Sequence, residues 1–375
     1  MSRLALAAVC SLALCACPKP GDDVDPKIKG DGHYLAGQAA YLKGDFATAH
    51  KEYAEVKALN PTDPRLPAAE GEVYLAEVKI AEAIESFETA SKLDPRRGTN
   101  WSRLGYLYLL KGEKAKARTA IDKALAANPK DFNALDSLAD LQLGEGKLDD
   151  AVKSLVAASE SAPDGLDFVL HAAQELDKAK RGDEALAVLE GASKRGIKGA
   201  ALFGELGDRY VMLSKLPEAL EAYTTAAKAD PKDPSWWELA GEVNVKLGNA
   251  EAAEVAFKDS IKVKDRGVVH VQLARLCLAK KDDACVKAEV DKALETSTGE
   301  ETRETMELAD LLAAVGRKKD ALALLRPLSE ENEQKLNLDL HLKTARLAKE
   351  LKDEVTEKAA CTRALSNGQA GIKCP

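Results

Sequence analysis

Aromatic residues, long apolar runs and an excess of positive charge are all scarce in this chain of 375 residues. Phe, Tyr and Trp together make up 5% of it, and so few aromatic residues in a chain rich in Ala and Leu favour helices over strands. No internal stretch approaches the roughly 18 consecutive apolar residues that a membrane-spanning helix needs. The 54 Lys and Arg residues are outnumbered by 62 Asp and Glu, a net charge of −8, which argues against a general nucleic-acid-binding protein.

Motifs that mark catalytic and metal sites are also missing from the sequence. There is no HExxH, no GxSxG and no glycine-rich phosphate-binding loop, and no cysteine pair has the CxxC spacing of a zinc site. The five histidines are scattered along the chain, at His33, His50, His171, His270 and His341. We therefore predict a protein that is not an enzyme and that uses no metal and no small-molecule cofactor.

The N-terminus differs in kind from the rest of the chain. Arg3 is followed by an apolar run from Leu4 to Leu14 and then by small residues, which predicts a secretory signal peptide over residues 1–16. The Leu14-Cys15-Ala16-Cys17 stretch resembles the lipobox of bacterial lipoproteins. That resemblance implies that Cys17 becomes the lipidated first residue. Two alternatives stay open: lipidation at Cys15, which bulky Leu14 disfavours, and an ordinary signal peptide cut nearby.

Residues 17–31 are rich in Pro, Gly, Asp and Lys and offer almost nothing to bury. This composition predicts a flexible tether between a membrane surface and a folded body. Pro18 stands where lipoproteins held at the inner membrane carry an aspartate. The lipoprotein resemblance therefore implies an exported protein, anchored through its lipid at the outer membrane and facing the periplasm.

The body of the chain repeats itself every 34 residues. Alanine recurs in seven successive units, at residues 49, 83, 117, 151, 185, 219 and 253. Four residues later stands a bulky apolar side chain, in Tyr53, Phe87, Ile121, Leu155, Leu189, Tyr223 and Phe257. Twelve residues before each alanine stands a very small residue, in Gly37, Gly71, Gly105, Ala139, Ala173, Gly207 and Gly241. Seven matches in one register indicate a structural unit and not a chance motif.

This unit resembles the tetratricopeptide repeat, whose signature combines W-x2-L-G-x2-Y with A-x3-F and a closing proline. The third unit carries the match in Trp101, Leu104, Gly105, Tyr108, Ala117, Ile121 and Pro129. The resemblance implies an all-α fold, a right-handed superhelical solenoid of about ten antiparallel helix pairs. We expect seven in-phase units over residues 32–267, degenerate pairs over 268–366 and a C-terminal tail over 367–375. Small residues let paired helices approach, and the bulky residue fills the space between them.

Proteins of this family bind partners in a concave groove lined by positions 2, 5, 6, 9 and 12 of each first helix. In units four to seven those positions contain no Lys or Arg and eight acids: Asp136, Asp140, Asp167, Asp177, Glu205, Asp208, Glu238 and Glu242. They predict a negative trough that attracts a basic segment of a protein or peptide partner. The alternative is that these acids reflect only the acidity of the whole chain.

Four further cysteines lie in the body of the chain: Cys277, Cys285, Cys361 and Cys374. An exported protein meets an oxidising compartment, so Cys277 with Cys285 and Cys361 with Cys374 are candidate disulfides. The alternative is that they are small buried hydrophobic residues.

Together these features predict a scaffold for protein–protein interactions at the bacterial cell envelope. Related lipoproteins help assemble outer-membrane barrels, pili or polysaccharide exporters, and the sequence favours none of the three. A second hypothesis is an accessory subunit or regulator of an envelope hydrolase, or a protein that binds peptidoglycan or another glycan. A third is a soluble co-chaperone, which requires that the N-terminal segment is not a signal.

Overall fold

The computed structural model describes residues 26–296, 302–331, 337–366 and 374, and within those ranges it contains twenty α-helices and no strand. In chain order they are α1 Pro26–Leu42, α2 Phe46–Leu59, α3 Leu66–Ala76, α4 Ile80–Leu93, α5 Gly98–Leu110, α6 Lys114–Ala127, α7 Phe132–Gly144, α8 Leu148–Ser161, α9 Leu166–Lys178, α10 Gly182–Lys194, α11 Ala200–Met212, α12 Leu216–Ala229, α13 Ser235–Lys246, α14 Ala250–Val263, α15 Gly267–Ala279, α16 Asp283–Thr296, α17 Thr302–Ala314, α18 Lys318–Glu330, α19 Leu338–Glu350 and α20 Glu354–Ser366. The prediction of an all-α chain with about ten helix pairs is confirmed. The chain divides within α10 into two compact units, residues 1–188 and 189–375.

Each first helix of a pair ends in the same kind of turn. One residue with positive φ closes it, in Gly44, Val78, Gly112, Gly146, Lys180, Ser214, Gly248, Lys281, Gly316 and Lys352. The next amide then donates to a carbonyl five residues back, as Asp45 N does to Ala40 O at 2.9 Å, which is a Schellman-type C-cap. The turns from 248 to 281, 316 and 352 are 33, 35 and 36 residues apart. The last three pairs thus keep the turn and lose only the strict period.

Val78 is the unfavourable member of that set. A β-branched residue at a φ of 60° is strained, because the left-handed conformation costs an ordinary L-residue about 1–2 kcal/mol. Its side chain is 76% exposed, so that removing it loses little buried area. We expect Val78→Gly to raise the free energy of unfolding by about 1 kcal/mol, measured by urea denaturation. A decrease on this substitution would contradict the assigned turn.

The contact predicted between the small and the bulky residue is present in the five repeats whose small residue is glycine. A Cβ atom placed on Gly37 would lie 2.4 Å from the Tyr53 ring, and one on Gly207 would lie 2.5 Å from the Tyr223 ring. The seven repeated alanines are fully buried. Only a residue without a side chain fits beneath these rings, and this fixes the spacing between the two helices of a pair.

The predicted boundary between tether and body needs correction. Helix α1 begins at Pro26, so residues 26–31, which composition assigned to the tether, are helical. Proline fits the first helical position because its missing N–H would lack a partner there. Asp31 then faces α3, where its Oδ1 accepts a hydrogen bond from Arg65 Nη2 at 2.7 Å. Residues 1–25, which include the predicted signal peptide and the predicted lipidation site Cys17, and the tail apart from Cys374 lie outside the described residues.

Both candidate cysteine pairs form disulfides in the structure. Cys277 and Cys285 join α15 to α16 across their turn, and Cys361 of α20 is joined to Cys374, with Cα atoms 5.7 Å apart in each pair. Among the residues that the structure describes, no helix is both long and apolar enough to cross a membrane.

Candidate partner-binding groove

Two carboxylates lie one helical turn apart on the exposed face of α7. Asp136 is half-buried and Asp140 is exposed, and neither has a hydrogen-bond or ion-pair partner among the described residues. Burial raises the pKa of Asp136 and the charge of Asp140 raises it further, whereas His171 of α9 lowers it. Burial also raises the pKa of Asp140, with His171 opposing and Glu175 adding to the shift. We call Asp136, Asp140, His171 and Glu175 the acidic cluster.

Cations only partly compensate this cluster. Glu175 Oε1 accepts a hydrogen bond from Lys178 Nζ at 2.5 Å and lies 3.9 Å from His171 Nε2. The two other predicted groove acids of this unit, Asp167 and Asp177, are exposed at opposite ends of α9. The structure therefore gathers Asp136 and Asp140 into one site and leaves Asp167 and Asp177 at its margins.

In the second compact unit, residues 189–375, the predicted groove acids differ from one another in their partners. Glu205 lies 3.4 Å from the guanidinium of Arg209, and Glu238 accepts hydrogen bonds from Ser260 at 2.8 Å and from Arg266. These arginines stand outside the five positions that were counted, which is why the sequence pattern showed acids and no bases. At Glu205 and Glu238 the negative charge of the predicted trough is therefore compensated by an arginine.

Asp208 and Glu242 have no cationic partner among the described residues of the second compact unit, residues 189–375. Asp208 Oδ1 accepts a hydrogen bond from Tyr223 Oη at 2.6 Å, and both acids are exposed with no ion-pair partner among the residues described. Burial, the hydrogen bond to Asp208 and the nearby charge of Glu242 raise the pKa of Tyr223. Tyr223 therefore stays neutral and remains a hydrogen-bond donor.

A cleft of about 330 Å³, which was not predicted from the sequence, lies between α1, α3 and the start of α5. We call it the first cleft. Tyr34 and Tyr41 of α1 and Ala68 and Ala69 of α3 line it, and Arg97 stands at the beginning of α5. These residues belong to the first three repeats, whereas the acids that predict the trough lie in the fourth to seventh repeats. The sequence feature that could have indicated the cleft is a pair of tyrosines at groove positions of the first 34-residue repeat, combined with a pair of alanines at groove positions of the second repeat.

The repulsion within the acidic cluster has a measurable cost in stability. Like charges at i and i+4 of a helix destabilise it by about 0.2–0.5 kcal/mol, so Asp140→Asn should raise the free energy of unfolding by that amount at pH 7. Because the pKa of each carboxyl is raised in the folded state, this repulsion is present above the raised pKa and disappears as the pH falls through it. Urea denaturation at several pH values should show the variant's advantage vanish in acid. An advantage that grew in acid would contradict the assignment.

Stacked helix pairs with an exposed first-helix face define a helical-repeat scaffold. The tetratricopeptide repeat model matches residues 68–132, 137–200 and 205–265, just over half of the chain. The chain belongs to the tetratricopeptide repeat family, and its fold is that of a scaffold for protein–protein interaction.

Relatives share this repeat over part of their length. The chain is similar to human Superkiller complex protein 3, with 29% identity over 230 residues that are 56% of this chain and 14% of that protein. It is also similar to Hsp70-Hsp90 organizing protein 1 of Glycine max, with 24% identity over 60% of this chain and 40% of that protein. Among solved structures, that of the MamA protein aligns with a TM-score of 0.39 and 20% identity, over 50% of this chain and 96% of that one. The chain thus spans well under half the length of these two curated relatives.

Proposed function

We propose that this protein is a non-enzymatic scaffold, lipid-anchored at the bacterial outer membrane, that binds partner polypeptides on its first-helix faces and helps assemble or regulate an envelope complex. The observation that carries the proposal is the acidic cluster, where Asp136 and Asp140 stay without partners although burial raises the pKa of both. A fold that keeps two like-charged carboxylates one helical turn apart, with the pKa of both raised, loses some stability. A Lys or Arg side chain from a partner would relieve that cost and add a charge-assisted hydrogen bond.

The disulfides support export. Four cysteines of the body lie in two disulfides, one between neighbouring helices and one at the end of α20. Such bonds persist in oxidising compartments and are rare in the cytosol. They agree with the signal-like segment before Cys17 and with a periplasmic location for the folded body.

The test of the anchor is a Cys17→Ala variant in the producing cell. We expect the substitution to abolish incorporation of radiolabelled palmitate and to release the protein from the outer-membrane fraction, whereas Cys15→Ala keeps both. Labelling that survives Cys17→Ala would refute the anchor site. The test of the scaffold is a crosslinking pull-down from envelope extracts, in which specific proteins should be recovered with the wild-type chain.

A soluble co-chaperone is the alternative that the similarity to the Hsp70-Hsp90 organizing protein favours. Cell fractionation separates the two, because a cytosolic protein would be recovered in the soluble fraction. Thiol labelling separates them too, since Cys277, Cys285, Cys361 and Cys374 would react as free thiols in a reducing compartment.

A further inference from the structure

Two side chains that line the first cleft are almost fully buried and have no hydrogen-bond partner among the described residues. Tyr53 is 1% exposed and Asn100 is 3% exposed, yet among the described residues the Tyr53 hydroxyl and the Asn100 side-chain amide take part in no hydrogen bond. Both residues line the cleft. Their polar atoms keep access to the cleft, so a ligand bound there can form hydrogen bonds with both.

One of the arginines around the cleft has no ion-pair partner among the described residues. Arg65 is paired with Asp31 and Asp63, and Arg103 is paired with Glu72. Arg97, exposed at the mouth of the cleft, has no acidic partner in the part of the chain that the structure describes.

The start of α5 also favours a negatively charged ligand. This helix begins at Gly98 without a side-chain cap, so its first N–H groups and its dipole favour a negative charge. Thr99 and Asn100 of that first turn line the cleft. A guanidinium, a phenolic O–H, an amide N–H and a helix N-terminus are all donors, and together they match a carboxylate.

The rest of the cleft is lined mostly by aromatic and apolar residues, together with Gln38 and the ion-paired Arg65 and Glu72. Tyr34 and Tyr41 of α1 and Ala68 and Ala69 of α3 line it, and the two small residues leave room for an incoming side chain. A volume of about 330 Å³ lies at the lower end of the range for ligand sites and suits one large side chain with its adjoining backbone.

We propose that the first cleft binds a partner polypeptide through one large apolar or aromatic side chain with a carboxylate beside it. The carboxylate pairs with Arg97 and accepts hydrogen bonds from Tyr53 and Asn100, while the apolar side chain packs between Tyr34 and Ala69. This inference rests on the proposed function and deepens it. The first-helix faces of the first compact unit, residues 1–188, then prefer two kinds of partner residue. The part near α1 to α5 prefers acidic and apolar residues, and the part near α7 and α9 prefers basic residues. The charge order of a partner would set its direction along the helices.

The test is selection from random peptides on the full chain. Peptides of about nine residues are long enough, at roughly 3.3 Å per residue, to cross three neighbouring helices. One library ends in a free carboxylate and the other in a carboxamide. We expect enrichment of Phe, Trp or Leu beside Asp or Glu in the amidated library. If a chain terminus supplies the carboxylate instead, the enriched apolar residue is the last one and appears only in the free-acid library.

Two variants tie the selected motif to the cleft. Arg97→Glu should weaken the selected peptides about tenfold or more, as loss of an interfacial charge pair does. Arg96→Glu is the matched control, because Arg96 is also exposed and does not line the cleft, and it should change affinity less than about twofold. Asn100→Leu should abolish the acid preference while leaving the urea midpoint unchanged or raised, because an apolar group of similar shape replaces an unpaired polar one.

The outcomes separate this inference from the proposed function. A motif that Arg97→Glu does not weaken, or a purely basic motif that depends on Asp140, would overturn the cleft site and leave the scaffold intact. Failure to enrich any peptide in either library would count against both.

Discussion

Replacing Phe257 with Ala is expected to lower the free energy of unfolding by about 3–5 kcal/mol, the range for truncating a buried aromatic residue. Phe257 is 1% exposed on α14, where its ring faces Gly241 of α13 and packs in a cluster with Val269 and Leu273 of α15. The variant loses contacts within its own pair and with the next one. Urea denaturation followed by circular dichroism measures the change.

Val255→Ala is the matched control for that measurement. Val255 stands two residues earlier on the same helix and is 59% exposed, so its truncation should change stability by less than about 0.5 kcal/mol. An equal loss from Val255→Ala and Phe257→Ala would mean that the helix faces are wrongly assigned.

Gly241→Ala probes the other side of the same contact. The added Cβ would stand 2.4 Å from the Phe257 ring, so we expect a cost of about 1–3 kcal/mol from overpacking. In the Phe257→Ala background the clash is absent, and the better helix propensity of Ala should make the same change stabilising by up to about 1 kcal/mol. A double-mutant cycle with no coupling would contradict the contact.

The second large effect concerns partner binding. Replacing both Asp136 and Asp140 with Asn should weaken retention of basic envelope proteins about tenfold or more, because the partner cation then loses its counter-charges while shape is kept. Retention by the wild-type chain should fall as salt rises. It should also fall as the pH drops through the raised pKa of these carboxyls, since protonated acids do not attract a cation. Quantitative mass spectrometry of the retained proteins provides the measurement.

The control for the charge change is a double variant on α4, which is the second helix of its pair and belongs to the same compact unit as α7. Glu82 and Glu85 are exposed on α4, and Glu82→Gln with Glu85→Gln removes the same two charges. This variant should retain the same proteins as the wild-type chain. Equal losses in the two double variants would show that net charge, and not the acidic cluster, governs retention.

The sequence predicted the repeated contact because one interaction recurs in register. Gly105 and Ile121 show it in the third unit, where an added Cβ on Gly105 would lie 2.7 Å from the Ile121 side chain. The start of α1 was not predicted, since the composition of residues 26–31 is that of a tether and only the pairing of Asp31 with Arg65 shows that they belong to the folded body.

The charges of the candidate groove were only partly predictable from position. Asp136 and Asp140 share a helical face, so that their spacing alone brings them together. Arg266 reaches Glu238 across 28 residues of chain, and no position-by-position reading of first helices includes it. The first cleft was missed for a similar reason, because Tyr53 and Asn100 meet there from different units.

Site-specific photo-crosslinking tests most directly whether the first-helix face is the surface that binds partners. A photoreactive residue is placed in turn at Gln174 of α9, beside the acidic cluster, and at Glu85 of α4, both of which are exposed. Our account predicts that envelope proteins crosslink to the chain from Gln174 and not from Glu85. Crosslinks from Glu85 alone would contradict it.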